Sequence, residues 1–185
     1  MTMLPPGQAV RIRYAESGDA RPLAGIDADA ADDAAIFRRR LAHLDRAIRR
    51  SRSPFRLLLV LEHEDSIAGF VRAVARRTLF PRNWWLEGLE IKAALRRNGF
   101  GQVLIREALH DLYYRGCRRV FLEVDRDNFA ARAFYEKLHF IHARGPTALM
   151  IGFLHSEKEV LSFDLAAHHA WISPPSQAYR YSGVR

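Results

Sequence analysis

Residues 84–116 read WWLEGLEIKAALRRNGFGQVLIREALHDLYYRG, and this stretch constrains the fold more than any other. Its first third reads as a strand. A break carrying two arginines and two glycines follows, and then a helix from about residue 99 to 114, which Gly116 ends. A strand that passes through a glycine break directly into a helix belongs to a layered α/β arrangement.

The remaining segments extend that reading. AVRIRYAES sets Val10, Ile12 and Tyr14 against arginines, as a half-buried strand does. Ser17 or Asp19 is placed to cap a short helix. A second helix is predicted over 32–50, where Ile36, Phe37, Leu41, Leu44 and Ile48 recur at helical spacing before SRSP stops it. A hairpin is predicted from 55–62 and 67–76 around a polar turn, then the strand of the opening stretch. RRVFLEVD reads as a buried strand and NFAARAFYEKL as a short helix with Asp127 or Asn128 at its start. ALMIGFL and EVLSFDL flank HSEK as a final hairpin. The order β-α-α-β-β-β-α-β-α-β-β predicts a sheet with both antiparallel and parallel neighbours. One domain over 8–167 and a C-terminal tail over 168–185 are expected, the part from Ser173 loosely ordered.

Charge and composition limit the partners. The net charge of +8, almost all from arginine, favours anionic ligands. Arginines from Arg38 through Arg56 are dense, but they spread around a predicted helix, which argues against nucleic acid as a partner. No apolar run is long enough to span a bilayer, so no membrane association is expected. The N-terminal residues lack a basic start followed by an apolar stretch, and the single cysteine, Cys117, has no internal partner. A reducing cytoplasm is the expected compartment.

The glycine break does not fit the phosphate-loop pattern, which needs a Gly-Lys-Ser/Thr. It does not fit the dinucleotide fingerprint either, since the third glycine would fall at Leu104. What remains is physically suited to a pyrophosphate. Glycines allow close backbone approach, a helix start offers unpaired N–H groups, and Arg96 and Arg97 add charge.

Arg96-x-x-Gly99-x-Gly101 after LEI resembles the acyl-CoA-binding motif of the GNAT acyltransferase superfamily, Gln/Arg-x-x-Gly-x-Gly/Ala. NFAARAFYEKLHF resembles a second element of that family, N-x-x-A-x-x-F/L-Y-x-x-x-G-F, through Asn128, Ala131, Phe134, Tyr135 and Phe140. His139 stands where the family has glycine, at a turn that often needs positive φ. The resemblance covers residues 10–165 and implies a mixed, mostly antiparallel sheet of about seven strands, a splayed central pair and about four helices.

The resemblance also implies chemistry. Acetyl-CoA would be the acyl donor. Its pantetheine arm would pair with the backbone of Leu89, Glu90 and Ile91, and its pyrophosphate would sit on the amides of Arg96, Arg97, Asn98, Gly99, Phe100 and Gly101, with Gln102 and Asn128 nearby. Glu87 is the expected base for the acceptor amine, with Leu89 and Ile91 on its own strand face by period 2 and Glu90 on the other. An N–H of Leu89 or Ile91 would meet the developing oxyanion, and Tyr135 would protonate the departing thiolate. The expected activity is N-acetylation of a primary amine of a small molecule or a protein, by direct transfer in a ternary complex, with acidic or amphipathic amines and a protein N-terminus equally open. The positive field disfavours strongly cationic acceptors, and a homodimer stays open. The rivals are a non-catalytic acyl-CoA sensor and a basic nucleic-acid-binding domain.

Other features are set aside. Cys117 is expected to be a structural thiol. His63-Glu64 lacks the second histidine of a zinc-protease motif, and His139, His142, His168 and His169 lack ligand spacing. Trp84 and Trp85 are expected in the core; the alternative is that one of them faces the acceptor pocket, since successive strand residues point opposite ways.

Overall fold

Alternation places the side chains of the central strands on two faces, and a different set of helices covers each. The computed structural model describes residues 10–26, 33–51, 53–76, 83–145 and 157–172. Strand β1 (Val10–Tyr14) passes through a 3₁₀ turn into helix α1 (Ala20–Ala24), and α2 (Ala34–Ser51) follows. Strands β2 (Arg56–His63), β3 (Ser66–Arg76) and β4 (Asn83–Ile91) come next, then α3 (Phe100–Tyr114), β5 (Arg119–Asp125) and α4 (Phe129–Lys137). The last described elements are β6 (Ile141–His142), β7 (Lys158–Asp164) and α5 (His169–Ile172). The seven strands form one sheet in the order β1-β2-β3-β4-β5-β7-β6, antiparallel throughout except for β4 beside β5.

In β2, Leu57, Leu59 and Leu61 point to the side where α3 packs, while Leu58 and Val60 point to α1 and α2. Burial on both faces is why this strand reads as a continuous apolar run. Helix α2 begins where Asp33 Oδ1 accepts the amides of Ala35 and Ile36, at 2.7 and 3.1 Å. Leu44, Ala47 and Ile48 form its buried stripe, and Ile36, expected in that stripe, is 48% exposed. Asp19 fixes the turn before α1: it accepts the Glu16 amide at 2.7 Å and is held by Arg13, which also reaches Glu62 at 2.7 Å.

The described residues contain five α-helices, the last being α5. It docks on α3 through His169 against Tyr113, with rings 4.6 Å apart, and buries Ile172, so the first residues of the segment expected to be a tail are packed. Strand β7 pairs on one side with β5 and on the other with Ile141 and His142. The strand expected over 148–154 and the tail from Ser173 lie outside the described residues.

Candidate functional site

Strands β4 and β5 pair only from Trp84 to Leu86 against Val120 to Leu122. Beyond that point both continue without pairing to each other, so the two halves of the sheet diverge, as expected. The splay leaves one edge of β4 open. Lys92 donates to Ala68 O at 2.8 Å and Glu90 lies opposite Phe70, so in the antiparallel alternation Leu89 and Ile91 turn their backbone groups away from β3. These groups face the gap. Arg96 Nε already holds the Ile91 carbonyl at 3.0 Å, which leaves the N–H of both residues and the carbonyl of Leu89 for a ligand strand.

The expectation that Glu87, Leu89 and Ile91 share a face is corrected by a bulge. Arg72 lies opposite Gly88 and Ala73 opposite Leu86, so Glu87 is an extra residue in β4. Trp84, Leu86 and Ile91 enter the core under α3, and Leu89 packs against it. Glu87 instead shares the α2 side of the sheet with Glu90. The Glu90 carboxylate pairs with Arg40 of α2, which holds it on the α2 side of the sheet. Gly88, an isolated glycine within a strand, is the sequence signal that points to the bulge.

At the end of β4 the chain makes two left-handed residues, Arg97 (φ 65°) and Gly99 (φ 84°), and α3 starts at Phe100 without a side-chain cap. The first amides of a helix have no intrahelical partner, so those of Phe100, Gly101 and Gln102 form a positive, open helix start beside exposed Arg96, Arg97 and Asn98. Phe100 is itself a core residue, packed on His63 with rings 5.0 Å apart. Gly101 has a packing role: a Cβ there would sit 3.4 Å from the Phe134 ring of α4 and 3.8 Å from Ile91 Cγ1. These features suit a pyrophosphate.

Helix α4 brings Tyr135 to the same core. Its ring lies between Phe134 and Phe140, with centroids 5.2 and 5.5 Å away, and burial pushes its phenol up to about 12. Asn128 caps this helix, Oδ1 accepting from Ala131 N at 3.0 Å. The helix ends as the sequence leads one to expect. His139 has φ 68°, and the amides of His139 and Phe140 return to Glu136 and Tyr135. Its imidazole stacks on His168, 5.4 Å between centroids, and meets Trp171 edge-on at 5.7 Å. The side chain that glycine would lack thus anchors the last helix.

On the α2 side of the sheet a chain of ion pairs crosses the splay, and sequence reading did not find it. Arg72 Nη2 lies 3.4 Å from Glu87 Oε2, and Arg76 donates to Glu87 Oε1 at 3.1 Å. Arg76 also donates to Glu123 Oε1 of β5 at 3.1 Å, and Lys158 Nζ lies 3.9 Å from the other Glu123 oxygen. Alternation could place Arg72 and Arg76 on one face of β3 and Glu123 on one face of β5. It could not show that the two strands would be bridged. Arg76 rests on Trp85 at 4.8 Å, and both tryptophans are buried, Trp84 toward α3 and Trp85 on the opposite face.

Arg72 also contacts His43 Nε2 of α2. Burial, then the charge of Arg72, holds the His43 imidazole below its ordinary value, so it is neutral at pH 7. Cys117 is buried, donates to Arg119 O at 3.3 Å, and is pushed up to about 12 by burial, as suits a structural thiol. Among the described residues no cluster of histidine, cysteine and carboxylate is placed to hold a metal. No described helix is long and apolar enough to cross a membrane. The α2 arginines point in several directions: Arg40 to Glu90, Arg49 to Asp45, and Arg38 and Arg46 to carbonyls of their own helix.

A sequence profile described as the Acetyltransferase (GNAT) family matches residues 26–140. The fold is similar to the PaiA N-acetyltransferase of Thermoplasma acidophilum, solved with coenzyme A: TM-score 0.66 and 18% identity over 84% of this chain and 99% of that one. It is similar also to a GNAT-family acetyltransferase of Streptococcus pneumoniae, with TM-score 0.62 and 21% identity over 84% and 98% of the two chains. A mycothiol acetyltransferase of Corynebacterium diphtheriae is 50% identical over 48 residues, 26% of this chain and only 16% of that protein's length.

Proposed function

Because the chain belongs to the acetyltransferase (GNAT) family, we propose that it is an acetyl-CoA-dependent N-acetyltransferase, acting on a primary amine by direct transfer in a ternary complex. The observation that carries this reading is one continuous surface. The open edge of Leu89 and Ile91 runs into the uncapped start of α3, with Tyr135 packed on the same side of the sheet. It fits an extended thioester arm that ends in a pyrophosphate.

In this reading the Leu89 and Ile91 amides bind the arm as a strand, and one of them faces the carbonyl oxygen as negative charge develops there. The residues at 96–101 hold the diphosphate through backbone N–H groups and arginine charge. Gln102 and Asn128 border the same ligand. The bond that forms joins the acceptor nitrogen to the acetyl carbon, and the bond that breaks is carbon to sulfur. The nitrogen gives up a proton toward Glu87, directly or through water, and the sulfur takes one from Tyr135. The desolvation that raises the phenol also raises a thiolate lodged beside it, which keeps this transfer feasible.

Calorimetry with acetyl-CoA, paired with an amine panel followed by thiol release, tests the reading. Micromolar binding with turnover of at least one amine is expected. Absence of acetyl-CoA binding would overturn it, and binding without turnover on any amine would favour a sensor.

A further inference from the structure

A small cavity lies on the acceptor side of β4, bounded by Arg40, His43 and Leu44 of α2, Phe70 and Arg72 of β3, and Glu87, Gly88 and Glu90 of β4. Its volume is about 120 Å³, roughly the space of four waters. One wall carries Glu87, the carboxylate next to the splay. Another carries the guanidinium of Arg72, which the sheet and α2 have largely taken out of water. Two of its nitrogens are engaged, Nη2 with Glu87 and Nη1 with His43. The third, Nε, is buried and has no hydrogen-bond partner. A buried donor left unpaired is costly, and a ligand acceptor at that point relieves the cost.

We infer that the acceptor is a small zwitterion of the amino-acid type, its carboxylate taken by Arg72 Nε–H in this cavity and its amine held beside Glu87 at the mouth of the splay. The inference rests on the acetyltransferase reading above and names the substrate class for that same site. The order of charges carries it: a cation at the inner wall and an anion toward the gap match a molecule whose carboxylate and amine are separated by a single carbon. The neutral His43 imidazole supports Arg72 without adding a second charge. Arg40 and Glu90, paired with each other, form the other charged part of the wall, and Leu44 and Phe70 form its apolar part. The volume admits a carboxylate and the carbon that bears it.

The test measures acetyl-CoA-dependent thiol release with the twenty common L-amino acids, the matching C-terminal amides and the matching decarboxylated amines, each compared at equal free-base concentration. The best free amino acid is expected to exceed its amide and its decarboxylated amine in kcat/KM by about 10- to 100-fold, the worth of one hydrogen bond to a charged group. Arg72→Gln is expected to bring the three within about 3-fold of one another while acetyl-CoA affinity, read by calorimetry, is unchanged. Arg72→Lys keeps the charge, loses the Nε donor, and is expected to lose most of the preference too, which covers the case in which the glutamine variant does not fold. Equal or better use of the amide or the decarboxylated amine would overturn the inference. So would acetyl-CoA binding with no free amino acid accepted, and this result leaves the donor site standing. A protein that does not bind acetyl-CoA would bring down the acetyltransferase reading itself.

Discussion

Glu87 and Leu89 stand two residues apart on β4 and face opposite sides of the sheet, because the bulge at Glu87 reverses the alternation between them. This separates the two jobs of the strand. In the proposed reaction Leu89 and Ile91 offer backbone groups to the donor, while Glu87, on the α2 side, serves the acceptor. Glu87→Gln should therefore lower kcat for acetyl transfer by about 10- to 100-fold and leave acetyl-CoA affinity, measured by calorimetry, unchanged. A parallel loss of donor affinity would contradict the separation.

Tyr135→Phe keeps the ring between Phe134 and Phe140 and removes only the hydroxyl. A fall in kcat of about 100-fold is expected, with acceptor KM little changed. Since burial pushes the phenol up to about 12, the wild-type rate should show no alkaline loss attributable to this group below about pH 10. Rate profiles of the two proteins from pH 6 to 10 check both points.

Gly99 holds φ 84° at the start of α3. Gly99→Ala forces a side chain into that conformation at a cost of about 1 kcal/mol, or relaxes the turn and misaims the first amides. Acetyl-CoA affinity should fall by about 10-fold, with a urea midpoint only slightly lower. Unchanged affinity would show that these amides do not hold the diphosphate.

His139→Gly sets two effects of similar size against each other. Relief of the left-handed conformation gains about 1 kcal/mol, and loss of the contacts with His168 and Trp171 costs about as much. Global stability should change little, while the amides of Trp171 and Ile172 should exchange with solvent markedly faster. Hydrogen exchange read by mass spectrometry resolves that segment.

Glu107 is buried in α3, and burial, then the charge of Asp111, raises its carboxyl above the ordinary value. The native state therefore holds this proton more tightly than the unfolded chain does, so the contribution of Glu107 to stability declines as pH rises from about 4.5 through its folded value. Glu107→Gln removes the decline. Urea midpoints of variant and wild type should agree near pH 4 and separate by pH 8, with the variant the more stable.

Much of this was legible in the chain. Periodicity located β2, β3, α2 and α3 to within a residue or two, because each buries one regular face or two. Glycine and histidine at positions 116 and 139 marked helix ends that need positive φ, and the structure has φ 77° and 68° there. What the sequence could not show were relations between distant segments. The parity of β4 depends on pairing with β3, so a period-2 reading put Glu87 on the wrong face, although Gly88 carried the warning. The bridge from Arg76 to Glu123 needs β4 and β5 to diverge by an amount that no local pattern encodes. Nor could spacing reveal that Ile91's carbonyl is claimed by Arg96, or that Arg72 would keep a buried nitrogen open.

The surroundings of Cys117 settle a practical matter for every assay above. This chain owns a single sulfhydryl, and the structure keeps it inside, in its uncharged form, at any pH where such an enzyme would be run. A disulfide dye added to a working mixture should colour in proportion to released coenzyme alone, with the folded protein contributing almost no background.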